Sequence, residues 1–326
     1  MSGVSQCEVG AEDNDLRLDR WFQRYYGGLS HGRLQKLLRT GQVRVDGKRA
    51  KSNSRIRSGQ IIRIPPLDAE KSGSRQKQRV TEADCSFIQG LVLFEDESVF
   101  ALNKPAGLAV QGGSGTKRHL DGMLAGLVGD GVDRPKLVHR LDKDTSGVLL
   151  IARSALVADR LGKQFQRSEV RKQYWALVAG VPSMRQGEID LPLMKSGGQG
   201  QERISVDERN GKHATTRYEV IENAARECSW LVLFPETGRT HQLRVHLAAI
   251  GHPIIGDGKY GGEEAFLDGV DIAEKMHLHA RHIEFSHPTK AGKLSVTAPL
   301  TDHMMASWQF FGLNANLAVD DVVGYE

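Results

Sequence analysis

The sequence predicts an α+β chain of two domains: a small α/β unit over residues 15–66 and a larger unit over 87–312 built on a mainly antiparallel sheet. Three observations predict it. Segments 91–94 and 99–102 of the larger unit read as strands paired across a turn, and further strands and helices follow them. Basic charge is concentrated near the start, where residues 15–67 hold 13 Lys and Arg against 3 Asp and Glu, although the whole chain nets only +4. Residues 67–86 are charged and poor in apolar side chains, the composition of a flexible linker.

A chain of 326 residues suits about two domains. Cys7, Cys85 and Cys228 are odd in number and widely separated, which excludes a disulfide framework and a cysteine zinc site and points to a reducing compartment. The first residues carry acids and no apolar stretch, so no signal peptide is expected. No apolar run reaches the roughly 18 residues of a membrane span. A soluble, cytoplasmic, monomeric protein without bound metal is expected.

Residues 1–14 are small, polar and acidic and read as a disordered lead-in. Leu18, Trp21, Phe22 and Tyr25 recur at helical spacing on one face, and Gly27-Gly28 ends that helix. Ser30 caps a second helix with Leu34, Leu37 and Leu38 inward, closed by Gly41. Arg33, Lys36 and Arg39 fall off the apolar stripe and can face a ligand. Residues 43–48 form a strand entering an Asp46-Gly47 hairpin turn, with Arg44, Lys48 and Arg49 extending the basic surface. Ile61, Ile62 and Ile64 make a last short strand. So dense a surplus of cations exceeds what solubility needs and is the footprint of a phosphate-binding module.

In the larger unit, segments 91–94 and 99–102 pair as strands across a four-residue turn, 95–98. The Gly-rich loop at 111–117 lacks the spacing of a Walker A motif. Helices are expected at 120–127 and 155–166, strands at 170–178, 213–220 and 230–234, and a Gly- and Gln-rich loop at 195–202. Thr240 is placed to cap a helix with Leu243, Leu247 and Ile250 on one face, ended by Gly251. His241 and His246 stand about 140° apart round that helix, which does not suit a shared metal. Gly256 to Gly261 fits G-x-G-x-x-G but follows a helix instead of a strand, so no dinucleotide site is read there. A strand and turn fill 278–288, and Met304, Met305, Trp308 and Phe311 make a closing helix before a disordered tail, 313–326.

The chain is organised around residues 137–153. His139, Arg140, Asp142, Lys143 and Asp144 directly precede an apolar run at 148–152, with Gly147 just before it. Five apolar residues in a row read as a strand buried on both faces. The polar cluster is then a loop at the sheet's edge, where catalytic residues concentrate. His-Arg-Leu-Asp followed by Thr-Ser-Gly resembles the signature of the RluA-type family of RNA pseudouridine synthases. Lys172-x-Tyr174 matches that family's second motif, and Glu236-Thr-Gly-Arg-Thr-His-Gln-Leu-Arg its third. The Asn-Lys-Pro-x-Gly segment at 103–107 and the Gly-Gly-Ser-Gly of the following loop resemble more narrowly its large-subunit ribosomal RNA members. Residues 15–66 resemble an S4 domain, an RNA-binding module shared with ribosomal proteins. Gly-Asp-x-x-Tyr-Gly at 256–261 resembles a structural segment of the family.

The resemblance implies a catalytic domain with a mixed, mainly antiparallel sheet, flanking helices and a central cleft. It makes Asp142 the catalytic carboxylate, Arg239 its ion-pair partner, Tyr174 the ring against the target base and Leu243 a wall of the uracil pocket. Arg140 is suited to fill the gap a flipped base leaves, or to hold phosphate. Arg33, Lys36, Arg39, Arg44, Lys48 and Arg49 become RNA contacts, and 23S ribosomal RNA the expected substrate, with transfer RNA the alternative. The chemistry requires no redox cofactor or metal: the C1′–N1 bond breaks, uracil turns, and C5 joins C1′. It requires an ionised carboxylate, a pocket for free uracil and a means of unstacking the nucleotide. Two rivals remain. A base-releasing hydrolase would need two carboxylates of split pKa, and a non-catalytic ribosome-assembly protein would not need Asp142.

Overall fold

The computed structural model describes residues 4–26, 29, 31–67, 80–112, 116, 118–129, 131–197, 203–224 and 226–317. The helix stop at Gly27-Gly28, the cap at Ser30, most of the 67–86 linker, the centres of the two Gly-rich loops and the tail past Leu317 lie outside them. The chain divides into two compact units, 1–79 and 80–326. No helix among the described residues is long and apolar enough to cross a membrane.

In the first unit, strand β1 (Ser5–Glu8) precedes helices α1 (Leu18–Tyr25) and α2 (His31–Arg39), then β2 (Arg44–Val45) and β3 (Ile61–Ile64). The strands form one antiparallel sheet in the order β1-β3-β2. The expected disordered lead-in is therefore corrected: Ser5 to Glu8 pair with β3, and Val9 is buried beside Leu18, Trp21, Phe22, Leu34 and Ile62. The short apolar content of 1–14 hid this, because an edge strand needs few inward side chains. Asp13 is also buried, held by the Arg24 guanidinium at 2.6 Å. Tyr25, expected inside, is 47% exposed, its ring against Trp21 and its hydroxyl directed at Glu12. Asp46 and Gly47 both adopt positive φ, 49° and 71°, as a two-residue hairpin turn matched to strand twist requires.

The second unit opens with α3 (Glu82–Gln89), whose N-terminus is capped by Thr81 Oγ1 accepting from Asp84 N–H. A linker running to residue 86 is thus corrected at its end: Ile88 is buried, which pulls the preceding turn into a helix. There follow β4 (Val92–Glu95), β5 (Val99–Lys104), α4 (Leu120–Met123), β6 (Lys136–Leu137), β7 (Ser146–Ala152) and α5 (Ala155–Gln166). Next come β8 (Arg171–Ala179), β9 (Gln186–Asp190), β10 (Leu193–Ser196), β11 (Arg203–Val206), β12 (Thr215–Ala224) and β13 (Cys228–Pro235). The chain closes with α6 (Gln242–Ala249), β14 (Leu278–Ser286), β15 (Lys293–Thr297) and α7 (Asp302–Phe310).

Ten strands form one sheet in the order β4-β5-β7-β14-β8-β13-β12-β9, with β15 on β14 and β6 on β7. β10 and β11 make a separate hairpin. Every pairing in the large sheet is antiparallel except β14 with β7, which meet in parallel at only two residue pairs, His279–Ser146 and Ala280–Gly147. Gly147 has φ 107°, and a Cβ there would collide with the Ala280 carbonyl. All seven residues of β7 are buried. Strand alternation sends Leu149 and Ile151 toward α3 and α4, and Val148, Leu150 and Ala152 toward α5, so each face feeds its own core. Fully burying each large aliphatic contributes roughly 1.5–3 kcal/mol. A third core gathers Trp175, Trp230 and Trp308 with Met304 of α7. The first residues of the expected tail belong to this core: Leu313 is buried there, and Ala315 and Leu317 pack against it.

Candidate active site

The loop 139–145 leaves β6 and enters β7, and its side chains divide by chemistry. Leu141 points into the core, while Arg140 and Asp142 face a cleft of about 540 Å³. That volume lies within the ~300–1,000 Å³ of small-molecule sites. Tyr174 on β8, Leu243 and Arg244 on α6, Lys172, Thr237, Arg239 and His241 line the rest. A second cavity of about 360 Å³ shares Arg140, Asp142, His241 and Arg244 and adds Lys143, Asp144 and Lys259. Asp142 therefore stands at the wall between two hollows.

Two features hold the loop. The His139 ring stacks on Phe165 at 4.5 Å, and its Nε2 accepts the Leu150 N–H of β7. Burial, with the Lys172 charge adding, pushes its pKa down to about 3, so the ring is neutral. Lys104, at the end of β5, is fully buried, and its ammonium donates to the carbonyls of Pro105, Leu108 and Lys143, each at 2.9 Å. The Gly107 N–H donates to the same Lys143 carbonyl. The Asn-Lys-Pro segment thus stitches its own loop to the residue after Asp142. Burial pushes Lys104 down to about 7, while the charges of Asp144 and Asp142 pull it up. Lys172, half-buried in the cleft wall, is pushed down to about 8 by desolvation.

The structure corrects one expected pairing. Arg239 is exposed at the cleft rim, its Nε donates to the His213 carbonyl, and it makes no ion pair with Asp142. The cation nearest Asp142 is Arg244, Nη1 to Oδ2 3.9 Å, and His241 Nε2 lies 3.8 Å from Oδ1. The reason is helical geometry. Arg239 precedes α6 in a turn, whereas Arg244 lies within its first turn, on a helix whose first six residues are all buried. Arg244 survives burial through Asp257, which accepts from its Nε and Nη2 at 2.7 Å each. Burial alone would lower the Arg244 pKa; the Asp257 bonds and charge, with Asp142, carry it above its ordinary value. Thr240 does not cap the helix either. His241 holds the cap position with a left-handed backbone and no side-chain cap. Gln242 ties the turn instead, accepting from Thr237 Oγ1 and Arg239 N–H and donating to Thr215 O and Thr216 Oγ1.

Asp257 and Tyr260 belong to the Gly-Asp-x-x-Tyr-Gly segment expected to be structural. Asp257 grips Arg244, and Tyr260 Oη lies 2.6 Å from His241 Nδ1. Neither pairing is visible in sequence spacing; the only signal is an acid and an aromatic within a Gly-rich turn. His246 is no ligand, being buried between Thr216 Oγ1 and the Leu191 carbonyl. In the first unit Arg33, Lys36, Arg39, Lys48 and Arg49 are exposed. Arg44 is engaged largely by its own turn, donating to the Gly41 and Gly47 carbonyls.

The stretch of chain that carries these groups is similar in sequence to known proteins. The family model for RNA pseudouridylate synthases matches residues 98–249, from β5 to the end of α6. The ribosomal large subunit pseudouridine synthase C of Vibrio cholerae is 34% identical over 303 residues, covering 90% of this chain and 93% of that protein. This chain belongs to the RluA-type family of RNA pseudouridine synthases. The synthase is 34% identical, too, to the protein of the same name from Escherichia coli O157:H7, over 92% of its own length and 94% of the relative's. Among solved structures, human RNA pseudouridylate synthase domain containing 4 superposes with a TM-score of 0.59 at 26% identity, covering 71% of the synthase and 98% of that chain. The human domain containing 1 protein gives 0.53, also at 26% identity, over 66% of the synthase and 86% of that chain. The synthase is thus an isomerase on a mixed, mainly antiparallel sheet.

Proposed function

We propose that the synthase isomerises specific uridines of 23S ribosomal RNA, with Asp142 as the catalytic carboxylate acting on a flipped-out nucleotide. The observation that carries this is the position of Asp142 at the cleft wall, within 4 Å of Arg244 and His241 and lining the same cleft as Tyr174 and Leu243. The Arg244 guanidinium brings positive charge to 3.9 Å from this half-buried carboxylate. In the reaction the C1′–N1 bond breaks and C5–C1′ forms; the proton lost from C5 is balanced by one gained at N1. Asp142 acts on the nucleotide as that exchange begins, Tyr174 stacks on the free uracil and Leu243 closes the pocket. Arg140, exposed between the two hollows, fills the vacated stack or holds phosphate. The choice of large-subunit RNA is supported by the names of the Vibrio and Escherichia relatives.

The first unit is read as an S4-like RNA-binding module. Its two helices on a three-stranded sheet and its exposed Arg33, Lys36, Arg39, Lys48 and Arg49 support that. Its contacts are chiefly to phosphates, which position the RNA without reading sequence.

The test maps pseudouridine in total RNA by carbodiimide labelling and primer extension, in cells with and without the gene. Discrete stops lost from 23S RNA, restored by wild type but not by Asp142→Asn, are expected. Stops lost only from transfer RNA would change the substrate, and full restoration by Asp142→Asn would overturn the catalytic assignment.

A further inference from the structure

His241 sits where a helix N-cap should be, yet it does nothing a cap does. Its backbone is left-handed, φ 53° and ψ 21°, and its side chain accepts no helix N–H. Caps are normally extended, with a short oxygen side chain turned back on the helix. A non-glycine residue held in this region marks a local geometry that the surroundings enforce. The effect here is to turn the imidazole outward, between Asp142 and Tyr260.

The hydrogen bonds around Tyr260 decide which proton the imidazole carries. Tyr260 Oη accepts the Ile204 N–H at 3.3 Å, and its 2.6 Å approach to His241 Nδ1 leaves the hydroxyl proton to point at that nitrogen. A neutral imidazole that accepts at Nδ1 must carry its hydrogen on Nε2. Nε2 is the nitrogen 3.8 Å from Asp142 Oδ1. The Arg244 guanidinium lies over the Tyr260 ring at 4.9 Å and reaches the other Asp142 oxygen, so one aromatic side chain braces both neighbours of the carboxylate.

We propose that Tyr260 and His241 act as a hydrogen-bonded positioning pair: Tyr260 fixes the Nε2–H tautomer of His241, which presents that hydrogen to Asp142 opposite the Arg244 guanidinium. The inference rests on Asp142 being the reacting carboxylate. At 3.8 Å the separation is longer than a hydrogen bond, and it shortens when substrate closes the cleft, as catalytic hydrogen bonds in unliganded sites do. Acid disrupts the arrangement. A second proton on Nδ1 displaces the Tyr260 hydroxyl hydrogen and leaves an imidazolium against Asp142. The groups facing the ring are Asp142 from the 139–145 loop, Arg244 from α6, and Asp257, Lys259 and Tyr260 from the turn after it; burial and the two cations hold the ring toward neutrality, and the two carboxylates oppose them.

The experiment follows tritium released from total RNA labelled with uridine tritiated at C5 and taken from cells lacking the gene, under single turnover with saturating enzyme, from pH 5 to 9. Tyr260→Phe removes one hydroxyl and no volume. His241→Asn removes the ring but keeps a residue that tolerates the left-handed backbone. Each is expected to slow release by about 10- to 100-fold, the effect of removing one charge-assisted hydrogen bond. His241→Asn should erase the acid limb of the wild-type profile, and Tyr260→Phe, which keeps the imidazole but not the donor to its Nδ1, should move that limb to higher pH. The double variant should be no slower than the slower single one. A Tyr260→Phe enzyme with the wild-type rate and acid limb would overturn the pairing, as would single effects that multiply. Asp142→Asn, run alongside, separates the failures: if it releases tritium the catalytic assignment falls, whereas an inactive Asp142→Asn beside an unaffected Tyr260→Phe removes the pair alone.

Discussion

Asp257→Asn keeps the shape of the side chain and removes its charge, and the structure sets the size of the consequence. Asp257 and Arg244 are 1% and 7% exposed, joined by two 2.7 Å bonds in fork geometry. Removing one member of a buried pair costs about 3–5 kcal/mol, because the other charge is left without compensation. Against a total stability of roughly 5–15 kcal/mol, that is a large share. The measurement is urea unfolding followed by tryptophan fluorescence. The second unit holds Trp175, Trp230 and Trp308 in one cluster, and Trp21 is the first unit's, so a Trp21→Phe background isolates the transition of interest. With a slope of about 3 kcal/mol per molar urea, the upper end of the usual range as suits a unit of this size, the midpoint should fall by about 1–2 M. A shift worth less than about 1 kcal/mol would refute the reasoning. It would mean that Arg244 swings its fork to Asp142, 3.9 Å away in the intact protein, and recovers a partner there. Replacing both residues, Arg244→Met with Asp257→Leu, should restore much of the stability but no activity, since apolar pairs of similar volume tolerate such burial well.

Two further outcomes are expected. His277 and His279 are buried and His139 is half-buried, and all three are neutral, their pKa values pushed down by desolvation to about 4, 3 and 3, with His303, Arg281 and Lys172 respectively adding to the effect. In the unfolded chain each titrates near about 6.5, so below that pH the unfolded state binds more protons and stability is lost as pH falls. By pH 5.5 each should cost on the order of 1 kcal/mol relative to pH 7, read by urea unfolding at the two values; equal midpoints would contradict neutral burial. In the first unit, replacing Arg33, Lys36 and Arg39 with Gln should weaken RNA binding and flatten its salt dependence, by about 0.7 in slope for every phosphate no longer neutralised, measured by filter binding across salt concentrations. An unchanged slope would remove that helix from the RNA surface.

Much of this molecule is legible in its sequence. The apolar run at 148–152 announces a strand buried on both faces, because only such a strand can dispense with polar alternation. The helix at 155–166 is equally plain, with Ser154 ready as its cap. The motifs single out Asp142 and Tyr174, and both line the cleft. What cannot be read are partners meeting across the fold. Arg239 and Arg244 look alike in a string, and only the turn geometry before α6 sends one to the rim and the other to Asp142. Lys104 looks like a surface lysine until one of its three carbonyl partners falls on a loop distant in sequence. The strand at Ser5–Glu8 escapes notice because an edge strand can form with little apolar content, its register being set by the neighbour it joins.

The parallel junction at Gly147 has a consequence for how the enzyme tolerates change. The loop bearing Asp142 belongs to the β4-β5-β7 half of the sheet, and Tyr174 and the approach to α6 belong to the half that begins at β14. The backbone ladder between these halves runs over only two residue pairs, one of them Gly147 against Ala280, and core packing and hydrogen bonds such as Ser146 Oγ with His279 Nδ1 complete the junction. A methyl group at Gly147 would drive into the Ala280 carbonyl and push the strand that follows the Asp142 loop away from the strand paired with Tyr174. An inactive variant at that position would report failed joinery, not failed chemistry.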